Sequence, residues 1–479
     1  MVVFLFQIIF YEIHYIMKYA IYGIMVFLMM GCKKNQEDGM TYFGGQIINP
    51  ETNYVLFLKD EKVLDTILLD ENNKFLKEIP ALEEGLYTFK HGNEFQYIYL
   101  APSDSVLVRL NTWDFDQSLV FSGKGSAKNE FLINLFLQNE KEENMMYQNF
   151  DLNEQEFHAK IDSLSKDRFA IYNDFFANEE QVTKGFKKLA NTAIHFPLYR
   201  LKEIYPIFYK GVYNLEEFPK VSDNFYDFRN ELSLNEENLV SFYPYQNYVV
   251  SYLYNISYQL KQNDSVKNDL TVNMLNAINE HIKAESFKNL LLKRILINDF
   301  LKSESACRIN EEALQLFLAN CTNKDDVELV NNLVKDCNYI ATNELFQDFS
   351  IVSFNNVPST INELIKNKNA VIYFWSAAYM SVDYLVSRIK FLEKNYPNLL
   401  FIGINMQTSP QDLNLDYSVK LRNTNHQYLL PPDSDAHQYL TSGYPRTILI
   451  DHLGIVKNGF INLDSKKLDS ELIKLALHN

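Results

Sequence analysis

The spacing of apolar residues changes twice along this chain, and those changes limit what it can fold into. From Thr41 to about Gly123, apolar and polar residues alternate in runs of four to seven, the period of half-buried strands. Strands are predicted over 42–48, 54–58, 63–69, 75–79, 86–89, 96–100, 105–110 and 118–121. Asn49-Pro50, residues 70–73, His91-Gly92-Asn93 and Pro102-Ser103-Asp104 supply the turns. Eight short strands at this spacing predict a β-sandwich. Between Asn129 and about Asn343 the period lengthens to nearly four. Phe157, Ile161, Leu164, Phe169, Tyr172 and Phe176 mark one helical face, and Leu239, Tyr248, Tyr252, Ile256 and Leu260 another. Further helices are predicted over 182–195, 270–284, 287–301, 311–320 and 327–337. No fixed-period repeat recurs. Beyond Phe346 short apolar runs return, at 349–352, 361–365, 370–375 and 399–406. A helix starting at Ser381 and stopped by Pro397 separates the last two, which predicts a parallel strand–helix–strand unit. The expectation is a multidomain α+β chain: a β-sandwich over 41–125, a helical domain over 126–343 and an α/β domain over 344–479.

The N-terminus carries an address. Residues 19–31 are free of charge and mostly apolar behind Met17-Lys18. That run is shorter than the about 20 residues a membrane-spanning helix needs, and it has signal-peptide proportions. It ends in Leu28-Met29-Met30-Gly31-Cys32, which resembles a bacterial lipobox and implies that Cys32 is diacylated. An ordinary cleaved signal and an uncleaved anchor are the alternatives. Met17 is the expected true start, residues 1–31 the signal segment and 32–40 a lipidated tether. The protein is then expected in the bacterial cell envelope, facing the periplasm, with the outer membrane favoured over the inner. The formal net charge of −16, with no long basic run, argues against a nucleic-acid partner.

Two stretches point to one family. The run Ala-Val-Ile-Tyr-Phe-Trp-Ser-Ala-Ala-Tyr-Met-Ser-Val at 370–382 is a buried strand ending in Phe374-Trp375, then a short corner and a helix start. Gly443-Tyr444-Pro445 precedes another strand, followed by Ile450-Asp451 and Gly454. Together they resemble the membrane-anchored thioredoxin-like lipoproteins of the TlpA/ResA kind, with the AhpC/TSA type of thioredoxin fold. The resemblance implies a cis peptide bond at Pro445, facing the active-site corner. It also implies cysteines at positions 379 and 382, where this chain has Tyr379 and Val382. The segment ending at Phe121-Ser122-Gly123 resembles the β-rich domain found ahead of many such proteins. Thiol–disulfide exchange needs a thiolate. A phenol with an ordinary pKa of about 10 cannot form a mixed disulfide, and a valine cannot resolve one.

Little replacement chemistry is visible. Cys307, Cys321 and Cys337 are too far apart for Cys-x-x-Cys. They read either as buried thiols or as containing one disulfide. No His or Cys cluster has metal spacing. Asp433, Asp435 and Asp451 read as caps and turns, and Ser376 and Ser381 have no base nearby in sequence. Gly123-Lys124-Gly125 lacks the continuation of a phosphate loop and reads as a turn. No cofactor or metal is expected. The leading expectation is therefore a redox-inactive thioredoxin-like domain that binds an envelope protein or peptide through Trp375, Tyr379, Tyr444 and Pro445. One alternative is a thiol-disulfide oxidoreductase working through Cys307, Cys321 or Cys337. Another is a carrier or sensor whose aromatic helical domain, rich in segments such as 242–248, holds a small ligand.

Overall fold

The computed structural model describes residues 39–479 except 61, 93, 180–181, 263–268, 303–309, 377–378, 407–425, 466 and 478–479. The signal segment, Cys32 and Cys307 lie outside the described residues. Among the described residues the chain is mixed α+β, with three sheets. Eight strands come first: β1 Thr41–Ile48, β2 Tyr54–Lys59, β3 Lys62–Leu68, β4 Lys74–Ile79, β5 Gly85–His91, β6 Glu94–Leu100, β7 Ser105–Asn111 and β8 Val120–Lys124. They form two four-stranded sheets, ordered β4-β1-β7-β8 and β3-β2-β5-β6. Alternation along each strand sends one set of side chains inward, and the two inner faces share one core. Phe43 of the first sheet sits 5.6 Å from the rings of both Phe57 and Phe89 in the second. All pairings are antiparallel except β1 with β7. Of the Gly123-Lys124-Gly125 triplet expected as a turn, Gly123 and Lys124 end β8, paired with Val106 and Ser105, and only Gly125 turns into the next helix. Gly123 has a φ of +91°, and a Cβ there would lie 2.1 Å from the Ser105 carbonyl oxygen, so the position requires glycine.

Eight helices follow: α1 Ser126–Met146, α2 Glu154–Asn178, α3 Lys184–Val212, α4 Tyr243–Gln262, α5 Leu270–His281, α6 Glu285–Lys302, α7 Glu311–Asn320 and α8 Lys324–Tyr339. Buried Asn129 of α1 joins them to the edge of the second sheet, accepting from the Tyr99 amide at 2.7 Å and donating to its carbonyl at 3.0 Å. The largest difference from expectation is α3, which runs seventeen residues beyond the predicted end at His195, through Pro197 and Pro206. A proline inside a helix costs about 3 kcal/mol, partly because the carbonyl four residues earlier loses its donor. Here fully buried Arg168 donates to the Ala193 and Ile194 carbonyls at 3.3 Å, replacing what Pro197 removes. The same guanidinium pairs with Glu142 at 2.7 Å and donates to Asn139 at 2.9 Å. The aromatic run at 242–248 is core. Phe242, Tyr245 and Tyr248 are buried with Phe196 and Phe287.

The third sheet contains β9 Ser350–Ser353, β10 Pro358–Thr360, β11 Ala370–Trp375, β12 Leu400–Asn405, β13 Gln427–Leu429, β14 Arg446–Ile450 and β15 Val456–Ile461. Its order is β10-β9-β13-β12-β11-β14-β15. β11 is parallel to β12 and antiparallel to β14, the thioredoxin-like arrangement. All six residues of β11 are buried, because helices or loops cover both faces. One face packs on α9 Ile361–Ile365 with Phe346, Phe349 and Tyr439, and the other is covered by α10 Val382–Asn395 and α11 Leu468–Leu477. The turn after β14 is closed by Asp451, whose carboxylate accepts from the Leu453 and Ile455 amides at 3.0 and 2.9 Å. Strands β10 and β13 were not legible in the sequence; each is only three residues long.

Candidate functional site

The corner is built where β11 ends and α10 begins. Trp375 is 1% exposed and lies in the core beneath α10, so it supports the corner rather than forming its surface. The amides of Tyr379 and Met380 turn back onto the Ser376 carbonyl at 3.1 and 3.3 Å. The Ser381 hydroxyl then caps α10 by accepting from the Tyr384 amide at 3.3 Å, as its place before the apolar stripe predicts. The two positions that the family resemblance assigns to cysteine have opposite fates. Val382 is 4% exposed and packs with Trp375 and Leu385, which seals the corner from below. Tyr379 is 50% exposed, and its ring lies 5.3 Å from that of Tyr444 at an angle of 45°.

Tyr444 and Pro445 form the opposite wall, and both are half-buried. The Tyr444–Pro445 bond is trans, since the described residues contain no cis peptide bond; the expected cis bond is absent. Tyr444 also packs on the core of the helical segment. Burial pushes its phenol up to about 12, and burial raises Tyr379 as well. Both rings therefore carry neutral hydroxyls near neutral pH. They offer apolar faces and hydrogen-bonding tips, with no phenolate nucleophile.

The loop before Pro445 is held from outside its own sheet. The Asp336 carboxylate of α8, 1% exposed, accepts from the Thr441 amide and hydroxyl at 2.9 and 2.6 Å and from the Ser442 amide at 2.8 Å. Arg446, 2% exposed, donates to the Asp336 carbonyl at 2.9 Å, to the Tyr439 carbonyl at 2.8 Å and to the Gly459 carbonyl. Desolvation lowers its pKa to about 10, opposed by the nearby Asp336 charge. Tyr339 adds a hydrogen bond to Gln438 at 2.6 Å. Sequence reading missed this clamp. One signal was available: Arg446 opens an otherwise apolar buried strand, and a buried arginine must find partners.

The two described cysteines, Cys321 and Cys337, both lie in the buried core of the helical segment. Cys337 is disulfide-bonded, which is the disulfide alternative of the two sequence readings. Cys321 is free but buried, and burial raises its thiol, the opposite of what a reactive cysteine needs. Among the described residues no group of three His, Cys, Asp or Glu side chains is arranged to hold a metal ion, and no helix is long and apolar enough to cross a membrane.

No family model and no curated protein matches the chain. Several solved structures are similar to part of it. A thiol-disulfide oxidoreductase from Bacteroides fragilis NCTC 9343 is 19% identical, with a TM-score of 0.24, covering 28% of this chain and 99% of that one. The thioredoxin domain of a thiol-disulfide oxidoreductase from Bacteroides vulgatus is 20% identical, with a TM-score of 0.20, covering 25% and 87%. A thiol:disulfide interchange protein from a Bacteroides species is 20% identical, with a TM-score of 0.21, covering 25% and 80%. Each likeness spans less than a third of this chain.

Proposed function

We propose that this protein binds an extended polypeptide segment at its thioredoxin-like corner and performs no thiol chemistry there. The observation that carries the reading is the pairing of half-exposed Tyr379 with Tyr444 over a corner sealed by Val382. Where a redox protein would keep two sulfurs, this chain keeps an aromatic platform. Tyrosine pairs give large contact area at little cost in side-chain entropy, and their hydroxyls reach backbone amides and carbonyls. A chain laid beside Pro445 would meet both rings. The proposal includes the address read from the sequence: a lipid anchor at Cys32 and a position in the bacterial envelope, facing the periplasm at the outer membrane.

The test uses the soluble chain beginning at Lys33. In an insulin-reduction assay it should be inert, and Tyr379→Cys/Val382→Cys should gain activity. Binding of a carboxymethylated, unfolded model polypeptide should weaken about tenfold in Tyr379→Ala/Tyr444→Ala. Reductase activity in the unmodified chain would overturn the reading, and so would binding indifferent to both tyrosines.

A further inference from the structure

A groove of about 890 Å³ runs between the β2–β3 turn, which supplies Asp60 and Lys62, and the helical segment, and Asp326 of α8 lines it. Its floor is ordered by internal hydrogen bonds. Asn289 donates to the Thr322 hydroxyl at 2.9 Å and accepts from the Thr322 amide at 3.0 Å. Thr322 in turn donates to Glu285, and Ser241 donates to Asp60 across the boundary between strands and helices.

The charges do not cancel. Lys293 pairs with Asp326 at 2.6 Å. That leaves three carboxylates in the lining, Asp60, Glu237 and Glu285, against the single ammonium of Lys62. All three are exposed. The lining carries amides and hydroxyls but no aromatic ring, which suits a polypeptide backbone with charged side chains better than a sugar or an apolar ligand.

We infer that this groove takes a basic stretch of polypeptide, lysine- or arginine-bearing. It uses none of the residues of the corner reading and stands apart from it. Preference for a basic chain then comes from the carboxylates of the groove.

The probes are three fluorescein-labelled twelve-residue Gly/Ser peptides carrying three Lys, three Gln or three Glu, titrated by anisotropy against the soluble chain. The lysine peptide should bind at least tenfold tighter than the glutamine peptide. Glu237→Gln/Glu285→Gln should remove most of that preference. Glu71→Gln/Glu156→Gln makes the same change in net charge at exposed sites outside the lining, and it should alter affinity less than twofold. Equal losses in the two variants would reduce the effect to overall acidity and overturn the groove. Absence of a lysine preference would overturn it too. Tyr379→Ala/Tyr444→Ala separates the readings. If it weakens all three peptides alike, both sites stand. If it changes nothing while the groove variant does, the groove stands and the corner falls.

Discussion

The carboxylate of Asp336 satisfies three donors from two residues in a place closed to water. Asp336→Ala would strand those donors and remove the charge nearest Arg446. The expected cost is about 3 kcal/mol, read as a lower urea midpoint. His91 offers a pH-dependent counterpart. It is 1% exposed, accepts from the Glu51 amide through Nε2 at 2.9 Å, and meets the Tyr54 carbonyl through Nδ1 at 2.9 Å. These partners fix the neutral tautomer with the proton on Nδ1, and burial lowers the pKa. The folded state thus resists a proton that the unfolded chain takes up near pH 6.5. Stability should be full above that pH and decline as pH falls below it. Denaturation of the unmodified chain and of His91→Gln between pH 7.5 and 5 checks this, with a flatter profile expected for the variant. What the sequence revealed at this scale were the local residues. Ser381 as a cap and Asp451 as a turn residue act within a few positions of themselves. Asp336 acts on a residue 105 positions away, so no local pattern announces it.

Among the elements, α3 depends most on a single outside side chain. Arg168→Met should leave Glu142 buried without its partner and the Ala193 carbonyl without its donor. The expected loss is about 3–5 kcal/mol, with a drop in helical circular dichroism before global unfolding. Element identity was otherwise largely readable, because burial on one face imposes a period of two on strands and nearly four on helices. The eight N-terminal strands and α7 show this directly, whereas β11 is readable as a continuous apolar run buried on both faces. Reading failed where the cause was not local. The helix expected to end at His195 runs on through Pro197, and the lost hydrogen bonding is replaced from α2. Leu239 lies in a 3-10 turn ahead of α4 rather than on its face. Trp375 was expected on the contact surface through the family resemblance, but the crossover helix lies over it.

For the whole molecule, the helical segment touches both its neighbours: it meets the sheets through Asn129 and the loop before Pro445 through Asp336. Residues 344–479 expressed alone should therefore unfold at a lower temperature than the same sheet within the full chain. Adding the helical segment in trans should not restore it, since a bond within one chain profits from effective concentration. Calorimetry on the isolated piece and the full chain measures the difference. The architecture was visible as three regimes of spacing; the way they lock together was not, because docking depends on surfaces that no single regime contains.

The clamp on the loop before Pro445 also orders events during synthesis. A ribosome delivers α8 about a hundred residues before the loop it holds. Domains generally fold as the chain emerges, and contacts between distant residues form late. Asp336 would then stand hydrated on a finished helix until Thr441 and Ser442 arrive to displace its water. The last strands thus complete their sheet against a template already in place, and a chain stalled before residue 441 would carry that carboxylate at its surface.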